Sequence, residues 1–203
     1  MQQTRRSFLE TAAGAAAAFA VPGCATAALD PAAPVDILTK THFAKPGEKI
    51  RMGFIGTGGR GGANLNEFFT LGEEIVALCD VDAPRLDEAA KRISARCPKA
   101  RRYRDWRELL DKEIDLDAVV VSTPDHMHAA AAIAAMKRGL HVYVEKPLVR
   151  TFFEAERFRK VAETCGVVTQ MGNNGNGTDA QRRNIETICR FGLRSYLHFF
   201  HLW

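Results

Sequence analysis

Three stretches of this sequence combine residue types and spacings that could do chemistry. The first is the glycine pattern GTGGRG at 56–61, which follows a short apolar run. The second is Asp80, the acid that ends the apolar run at 74–80. The third is Glu145-Lys146-Pro147, which follows the apolar run at 141–144. These stretches suit, in turn, a phosphate-binding loop, a ribose-binding carboxylate, and an acid and a base at the end of a strand.

The glycine pattern has the form G-x-G-x-x-G, which alone is weak evidence because glycine is common in turns. Its place after a predicted strand and before a predicted helix is what makes a dinucleotide-binding loop specific. Gly56 would form the tight turn, Gly58 would admit a pyrophosphate, and Gly61 would let the helix pack closely on the strand. The helix N-terminus would offer free N–H groups to phosphate oxygens. The predicted loop comprises Gly56, Thr57, Gly58, Gly59, Arg60 and Gly61.

Asp80 lies 24 residues after Gly56, at the end of the second predicted strand. A carboxylate at this position accepts hydrogen bonds from the two ribose hydroxyls of an adenosine and repels a 2′-phosphate. The predicted cofactor is therefore NAD rather than NADP, although the nearby Arg85 would soften that preference. The alternative is a solvated aspartate and an ordinary glycine turn. It does not explain why the strand, the glycine pattern, the helix and the acid occur at the spacing of a dinucleotide-binding fold.

Strand and helix patterns alternate along the chain from residue 49 onward. Because parallel strands need a crossover, usually a helix, this alternation predicts a doubly wound α/β fold with a parallel Rossmann sheet. Predicted strands lie at 50–56, 74–80, 101–103, 117–123, 141–144 and 167–171. Predicted helices lie at 61–71, 84–96, from 105 onward, at 128–139, at 151–165 and near 180–190.

Composition excludes several other classes of protein. The chain has 203 residues, which is enough for one domain and the start of another. Its formal net charge is +4. Basic residues such as Arg104 and Arg107 stand beside Asp105 and Glu108, which argues against a nucleic-acid-binding stripe. The five cysteines form no C-x-x-C pair, so the sequence predicts neither a disulfide framework nor a metal site. Cys79 is predicted to be a buried strand residue.

The N-terminal segment 1–24 is predicted to be an address rather than part of the fold. Residues 4–9, TRRSFL, resemble the twin-arginine export signal, and the Ala-rich run after them is too short to span a membrane. Cys24 resembles the lipidated cysteine of a lipoprotein, and plain cleavage near 25–28 fits equally well. We therefore expect export by the twin-arginine machinery to the periplasm or to a lipid anchor in the membrane. Residues 25–48 are predicted to be a linker.

The segment from 51 to about 175 resembles the Gfo/Idh/MocA oxidoreductase family. The resemblance rests on the ordered combination of GFIGTGGRGG, ALCDVD, the Thr-Pro-x-x-x-His motif at 123–128, Glu-Lys-Pro at 145–147 and the GNN at 172–174. It implies a Rossmann domain, an NAD(P) cofactor and a sugar or polyol substrate. It also allows association of identical chains, since members of the family often form oligomers.

The same resemblance implies roles for individual residues. Thr123 and Pro124 would border the ribose and nicotinamide of the cofactor. His128 would support the cofactor side of the site, or else would pack at a helix start. Glu145 would lie near the nicotinamide ribose, and Lys146 would meet the substrate hydroxyl or carbonyl as the catalytic residue. Asn173 would line the cleft after the next strand.

Residues 176–203 are expected to begin a second, α+β domain that carries the substrate pocket in the family. The family's Asp-x-x-x-His pair does not follow residue 175, and FGLRSYLHFFHLW at 191–203 departs from the family's pattern. The sequence-based hypothesis is a truncated or frameshifted reading frame that lacks part of the catalytic machinery. A lone strand at 195–203 would have no partner for its apolar face.

Three functions remain open on this basis. The first is an NAD-dependent oxidoreductase acting on a sugar or polyol. The second is an exported NAD-dependent glycosidase of the same superfamily, which would regenerate its cofactor, although such glycosidases generally lack a lysine at the position of Lys146. The third is a nucleotide-binding remnant without catalytic activity.

Overall fold

The computed structural model describes residues 47–173 and 178–190, together with residues 35, 44 and 45. The predicted export segment at 1–24, with Cys24, lies outside these residues. So do most of the predicted linker and the predicted strand at 195–203.

Six parallel strands form one sheet in the order β3-β2-β1-β4-β5-β6. All five neighbouring pairs run parallel. This order places the two halves of the sheet on either side of the β1–β4 pair, as in dinucleotide-binding folds. The predicted doubly wound fold is therefore confirmed. The strands are β1 (Arg51–Ile55), β2 (Glu74–Cys79), β3 (Arg101–Tyr103), β4 (Ala118–Val121), β5 (His141–Glu145) and β6 (Thr169–Gly172).

Five helices follow the first five strands, and a sixth follows the last. They are α1 (Arg60–Leu71), α2 (Ala83–Ile93), α3 (Trp106–Lys112), α4 (Asp125–Lys137), α5 (Phe152–Cys165) and α6 (Asp179–Arg190). None of the helices within the described part of the chain is long and apolar enough to cross a membrane.

Two helix boundaries differ from the prediction by three residues. Helix α4 begins at Asp125 rather than at residue 128, with Pro124 as its N-cap. The first turn of α4 is polar and exposed, so the apolar pattern starts one turn late. Helix α2 ends at Ile93 rather than at residue 96, because Ser94 caps it and its hydroxyl returns a hydrogen bond to the Lys91 carbonyl at 2.7 Å.

The core lies on both faces of the sheet, and β4 shows why its sequence is continuously apolar. Val119 and Val121 pack on the face covered by α3, α4 and α5, whereas Val120 packs on the opposite face with α1 and α2. All three side chains are fully buried. Successive strand residues point to opposite faces, so a strand covered on both sides needs an apolar residue at every position.

The turn after β5 is fixed by the start of the next helix. Thr151 and Glu154 form a capping box at the start of α5, and the Glu154 carboxylate also accepts the Arg150 N–H at 2.7 Å. The peptide bond between Lys146 and Pro147 is cis. The chain therefore passes from β5 to α5 through a short, hydrogen-bonded segment.

We predict that Cys79 resists alkylation in the folded protein. Burial, with smaller contributions from Asp105, Asp80 and Glu108, raises the pKa of the Cys79 thiol from 9.0 to about 12. Because only the thiolate is reactive, iodoacetamide at about pH 8 should label the partly exposed Cys97 well before Cys79. Peptide mapping by mass spectrometry checks this order.

Unfolding with guanidinium supplies the control, since Cys79 should then react at the rate of Cys97. The unfolded thiol loses its proton near pH 9, while the folded thiol keeps it to about pH 12. The free energy of unfolding should therefore fall as pH rises through this window. Equal labelling of both cysteines in the native protein would contradict the burial of Cys79.

Candidate functional site

A cavity of about 540 Å³ opens at the carboxyl ends of β1, β2 and β4. This is the point where the strand order reverses, which is where open α/β sheets bind their ligands. The glycine loop, the end of β2 and the starts of α3 and α4 form its walls. The predicted site residues in its lining are Gly56, Gly58, Asp80, Arg85, Thr123 and Pro124.

The glycine loop has the backbone geometry that its sequence predicts. Gly56 has a φ of 89°, and its N–H donates to the Cys79 carbonyl at 2.8 Å, which ties the loop to β2. A Cβ on Gly61 would overlap the carbonyl oxygen of Gly56 and lie 2.9 Å from its carbonyl carbon. Gly61 thus allows α1 to start directly against the loop, as expected.

The N-terminus of α1 could bind an anion through backbone N–H groups. Its N-cap, Gly59, makes no side-chain capping bond, and the first turn contains no acidic residue. Among the described residues, the N–H groups of Gly58, Gly59 and Arg60 donate to no acceptor. A helix N-terminus with unpaired donors and a partial positive charge suits a pyrophosphate. The loop therefore fits a dinucleotide.

Arg85 lies against the loop at Gly58. A Cβ on Gly58 would lie 2.7 Å from Cδ and 2.9 Å from Nη1 of Arg85, so any larger residue would displace the arginine. The guanidinium also pairs with the Asp82 carboxylate at 3.4 Å. A positive charge thus stands beside the space that Gly58 leaves open. This arrangement adds to the electrostatic attraction of a phosphate.

Asp80 binds the glycine loop as well as lining the cavity. Its Oδ2 accepts the Thr57 N–H at 2.8 Å and the Thr57 hydroxyl at 3.2 Å, and its Oδ1 accepts the Asp82 N–H at 3.0 Å. The sequence predicted only a ribose-binding role. The structure adds a bracing role, because Asp80 holds the loop against the end of β2.

Glu145 is the centre of a buried polar network under the glycine loop. The residue is 6% exposed, and its Oε1 accepts hydrogen bonds from Asn64 Nδ2 at 2.8 Å and from Arg60 Nε at 3.3 Å. Asn64 also donates to the Ser122 hydroxyl at 3.2 Å. A buried carboxylate without partners would cost several kcal/mol, so this network fixes α1 to the end of β5.

Tyr143 and Gly172 enclose the other side of the Glu145 carboxylate. The Tyr143 hydroxyl donates to Oε1 at 3.5 Å, and a Cβ on Gly172 would lie 2.7 Å from the same oxygen. Burial, followed by the nearby Glu145 carboxylate, raises the pKa of Tyr143. The last residue of β6 must therefore be small for Glu145 to keep this position.

Lys146 follows directly and is exposed. No described residue forms a hydrogen bond or ion pair with its ammonium group. Asn173 is also exposed and follows Gly172, which pairs with Glu145 across β5 and β6. Lys146 and Asn173 therefore extend from the ends of adjacent strands, next to the network but outside the lining of the cavity. Both have the free surface that a substrate would need.

His128 is buried at 1% exposure between two loops of the site. Its Nδ1 lies 2.7 Å from the Pro147 carbonyl oxygen, and its Nε2 lies 2.8 Å from the Thr123 carbonyl oxygen. Of the two alternatives left by the sequence, the ring packs at a helix start, and it also holds the loop that lines the cavity.

Several residues of the site carry no signal that sequence reasoning used. Asn64 is 1% exposed on the buried face of α1, where a polar residue signals a specific partner. Ser122 directly follows β4 and Tyr143 lies in β5, and the roles of both depend on the approach of α1. Trp106 lines the cavity, and its indole Nε1 and Thr123 Oγ1 are buried without a hydrogen-bond partner among the described residues.

Comparison with protein families identifies the same segment. The family model for Gfo/Idh/MocA, described as an oxidoreductase family with an NAD-binding Rossmann fold, matches residues 50–173. That range contains every residue predicted to bind the cofactor, together with Lys146. It also coincides with the sheet and its five crossover helices.

Similar proteins include glycosidases and a dehydrogenase. A glycosyl hydrolase family 109 protein of Shewanella pealeana is 34% identical over 191 residues, which are 87% of this chain and 40% of that protein. An alpha-N-acetylgalactosaminidase of Tannerella forsythia is 34% identical over 82% of this chain and 37% of its own length. The crystal structure of myo-inositol 2-dehydrogenase from Lactobacillus plantarum matches with a TM-score of 0.63 and 26% identity, over 71% of this chain and 42% of that one.

The chain thus spans about two fifths of the length of these relatives. Within the chain, the segment 50–173 is the part that matches the family model with the NAD-binding Rossmann fold.

We predict that Gly61→Ala weakens the loop although alanine favours helices. The new Cβ would collide with the Gly56 backbone, which cannot rotate away as a side chain can. We expect a loss of about 1–3 kcal/mol in the free energy of unfolding, together with weaker dinucleotide binding. Chemical denaturation and calorimetric titration measure the two effects.

Asn66→Ala is the matched control, because it introduces alanine at an exposed position of the same helix, where stability should be unchanged or slightly higher. An unchanged stability in Gly61→Ala would mean that the close contact between loop and helix is not required.

Proposed function

The chain belongs to the Gfo/Idh/MocA family of NAD-binding oxidoreductases, and on that premise we propose that it supports hydride transfer between NAD and a sugar or polyol. The observation that carries this proposal is the placement of Lys146. Its exposed ammonium group directly follows Glu145, which is bound to the first turns of the helix that begins at the phosphate-binding loop. The candidate acid–base residue is thereby tied to the candidate cofactor site.

The described residues divide into those that would hold NAD and those that would act on the substrate. The N–H groups of Gly58, Gly59 and Arg60 would bind the pyrophosphate, and Asp80 would bind the adenosine ribose. Thr123 would face the nicotinamide half, where its buried hydroxyl has no partner among the described residues. NAD, when bound, accepts or supplies the hydride.

Lys146 would manage the proton that accompanies the hydride. Oxidation of an alcohol carbon releases a proton from the hydroxyl, and an amine beside that oxygen can accept it. In the reverse direction an ammonium group donates a hydrogen bond to the carbonyl oxygen and then the proton. Because no described residue pairs with Lys146, its side chain can turn toward a substrate without breaking an existing contact.

NAD is preferred over NADP in this proposal because of the charge at the end of β2. Asp80 and Asp82 place two carboxylates there, and Asp80 is held in position by Thr57. A 2′-phosphate would meet this negative charge. Arg85 is already paired with Asp82 at 3.4 Å, so it would compensate only in part.

A glycosidase is the second candidate function. It is supported by the identity to glycosyl hydrolase family 109 proteins and to a named alpha-N-acetylgalactosaminidase. The same NAD site would serve a transient oxidation that labilises a glycosidic bond. The two candidates differ in outcome, since a dehydrogenase accumulates NADH whereas a glycosidase releases a sugar without net change in the cofactor.

We predict that Asp80→Ala weakens NAD binding by about 1–3 kcal/mol and narrows the preference for NAD over NADP. The variant loses hydrogen bonds to the ribose and the repulsion of a 2′-phosphate together. Calorimetric titration with NAD and with NADP measures the ratio of the two affinities. Asp115→Ala, which removes a carboxylate paired with Arg51 away from the cavity, is the control.

The ratio of NAD affinity to NADP affinity distinguishes the two roles of Asp80, which are binding the ribose and bracing Thr57. If the aspartate only braced Thr57, NAD and NADP would lose affinity by the same factor, as they should in Thr57→Val. An unchanged NAD/NADP ratio in Asp80→Ala would therefore overturn the ribose assignment.

We predict that Lys146→Ala lowers turnover by about 100-fold or more while NAD affinity changes less than about twofold. NADH formation with a panel of inositols and sugars, and nitrophenol release from α-N-acetylgalactosaminide, measure the two candidate activities in parallel. Lys99→Ala removes an exposed lysine outside the cavity and should match the wild-type chain.

Each outcome of this assay has one meaning. NADH formation that depends on Lys146 supports the oxidoreductase, and nitrophenol release without NADH formation supports the glycosidase. NAD binding without either activity would contradict both and leave a nucleotide-binding protein.

A further inference from the structure

The part of the cavity beyond Asp80 has no role in the proposed function. The strand order β3-β2-β1 puts the end of β3 on the side of Asp80 away from the glycine loop, and the Asp80 N–H donates to the Tyr103 carbonyl at 3.2 Å. A dinucleotide with its pyrophosphate on the glycine loop and its ribose on Asp80 would therefore direct its base toward the start of α3. The cavity wall at the start of α3 contains Arg104, Asp105, Trp106 and Arg107.

Trp106 and Arg107 form a cation–π pair in this wall. The Cζ atom of Arg107 lies 4.5 Å from the centroid of the Trp106 ring. The indole is half-buried and packs against the core on the face of the sheet covered by α3, α4 and α5. The Arg107 side chain, in contrast, is 59% exposed. The guanidinium is therefore connected to the core through the indole and keeps free surface toward the cavity.

Asp105 restricts the same guanidinium further. Its Oδ1 accepts hydrogen bonds from the Arg107 backbone N–H at 2.8 Å and from Arg107 Nη1 at 3.3 Å. Immobilising a long side chain at a binding site costs conformational entropy, and this cost is smaller when the side chain already has partners in the free protein. Arg107 is thus preorganised to present its guanidinium to a ligand in the cavity.

We propose that Arg107 is a binding residue for the adenine of NAD, which stacks on the guanidinium that Trp106 supports. A guanidinium is planar and delocalised, and it stacks on aromatic rings and on nucleobases. Met127, from the start of α4, lines the same cavity and gives the base an apolar neighbour. The inference rests on the proposed function, because it takes this cavity to be the NAD site.

A phosphate bound to Arg107 is the competing interpretation, and the charges of the wall oppose it. Asp105 is paired with Arg107 at 3.3 Å, and Asp80 and Asp82 line the cavity on the ribose side. These three carboxylates would repel a phosphate, whereas a neutral base would meet no such repulsion. The second arginine of this wall, Arg104, already donates to a backbone carbonyl at 2.6 Å.

Calorimetric titration of the full 203-residue chain with AMP, NAD, NADP and nicotinamide mononucleotide tests the stacking. AMP carries adenine without nicotinamide, and the mononucleotide carries nicotinamide without adenine. Arg107→Ala should lower the affinities for AMP, NAD and NADP by about 5–50-fold, the scale of one base-stacking contact, and change the affinity for the mononucleotide less than about twofold. Arg102→Ala is the control and should leave all four affinities unchanged, because Arg102 is an exposed arginine paired with Asp87 outside the cavity.

Two further substitutions separate the planar group from its charge and from its support. Arg107→Lys keeps the charge but not the guanidinium plane, so it should lose about as much AMP affinity as Arg107→Ala. Trp106 acts through Arg107, so Trp106→Leu should weaken AMP binding, while Trp106→Phe keeps an aromatic face and should retain it. The melting temperature of each unliganded variant reports on its folding, and the Arg107 variants decide the test if Trp106→Leu does not fold.

The stacking is overturned if Arg107→Ala or Arg107→Lys binds AMP as tightly as the wild-type chain. Equal losses of AMP and mononucleotide affinity would also overturn it, since they would mean a general disturbance of the cavity. A loss confined to NADP would assign Arg107 to a phosphate instead. AMP binding that depends on Arg107 in a chain without turnover would contradict the proposed function and leave the stacking in place, whereas a wild-type chain that binds neither AMP nor NAD would overturn both.

Discussion

The architecture of the site depends on one buried carboxylate. Glu145 ends β5 inside the protein, where its carboxylate accepts hydrogen bonds from Tyr143 and from two residues of α1, Asn64 and Arg60. Those two residues lie on the helix that begins at the glycine loop. The requirement to neutralise one acid therefore joins the phosphate-binding loop to the strand that presents Lys146. It also explains why Gly172 must be small and why Tyr143 lies where it does.

Around this link the cavity combines charges of both signs. Asp80 and Asp82 lie at one end, and Arg85 lies beside Asp82 and Gly58, so the ribose and phosphate regions of a dinucleotide would meet opposite potentials. Free N–H groups at the start of α1 add to the positive region. The substrate side is different, because Lys146 and Asn173 are exposed beyond the cavity. The described residues thus form a more complete site for the cofactor than for the substrate.

Much of the fold and of the cofactor site could be predicted from the sequence. The run at 117–123 predicted a strand buried on both faces, which the structure has as β4, and Gly56, Gly61 and Asp80 occupy the positions that their spacing indicated. Local pattern suffices there because backbone conformation and burial decide those residues. Local pattern did not predict that α4 begins at Asp125, because the first turn of this helix is polar.

Contacts between distant segments could not be predicted in the same way. Nothing in the spacing of Asn64 and Glu145 shows that they meet, because their contact depends on the packing of α1 against the sheet. The bracing of Thr57 by Asp80 and the position of His128 between two carbonyls have the same origin. The roles of residues 1–24 and 176–203 remain predictions, including export and the start of a second domain.

The central claim is that the glycine loop, Asp80 and Lys146 belong to one NAD site. A crystal structure of the chain with NAD tests it most directly. We expect the pyrophosphate over the N–H groups of Gly58, Gly59 and Arg60, the adenosine ribose on Asp80, and the nicotinamide on the side of Thr123 and Lys146. A nicotinamide bound away from Lys146, or a pyrophosphate away from the start of α1, would contradict it.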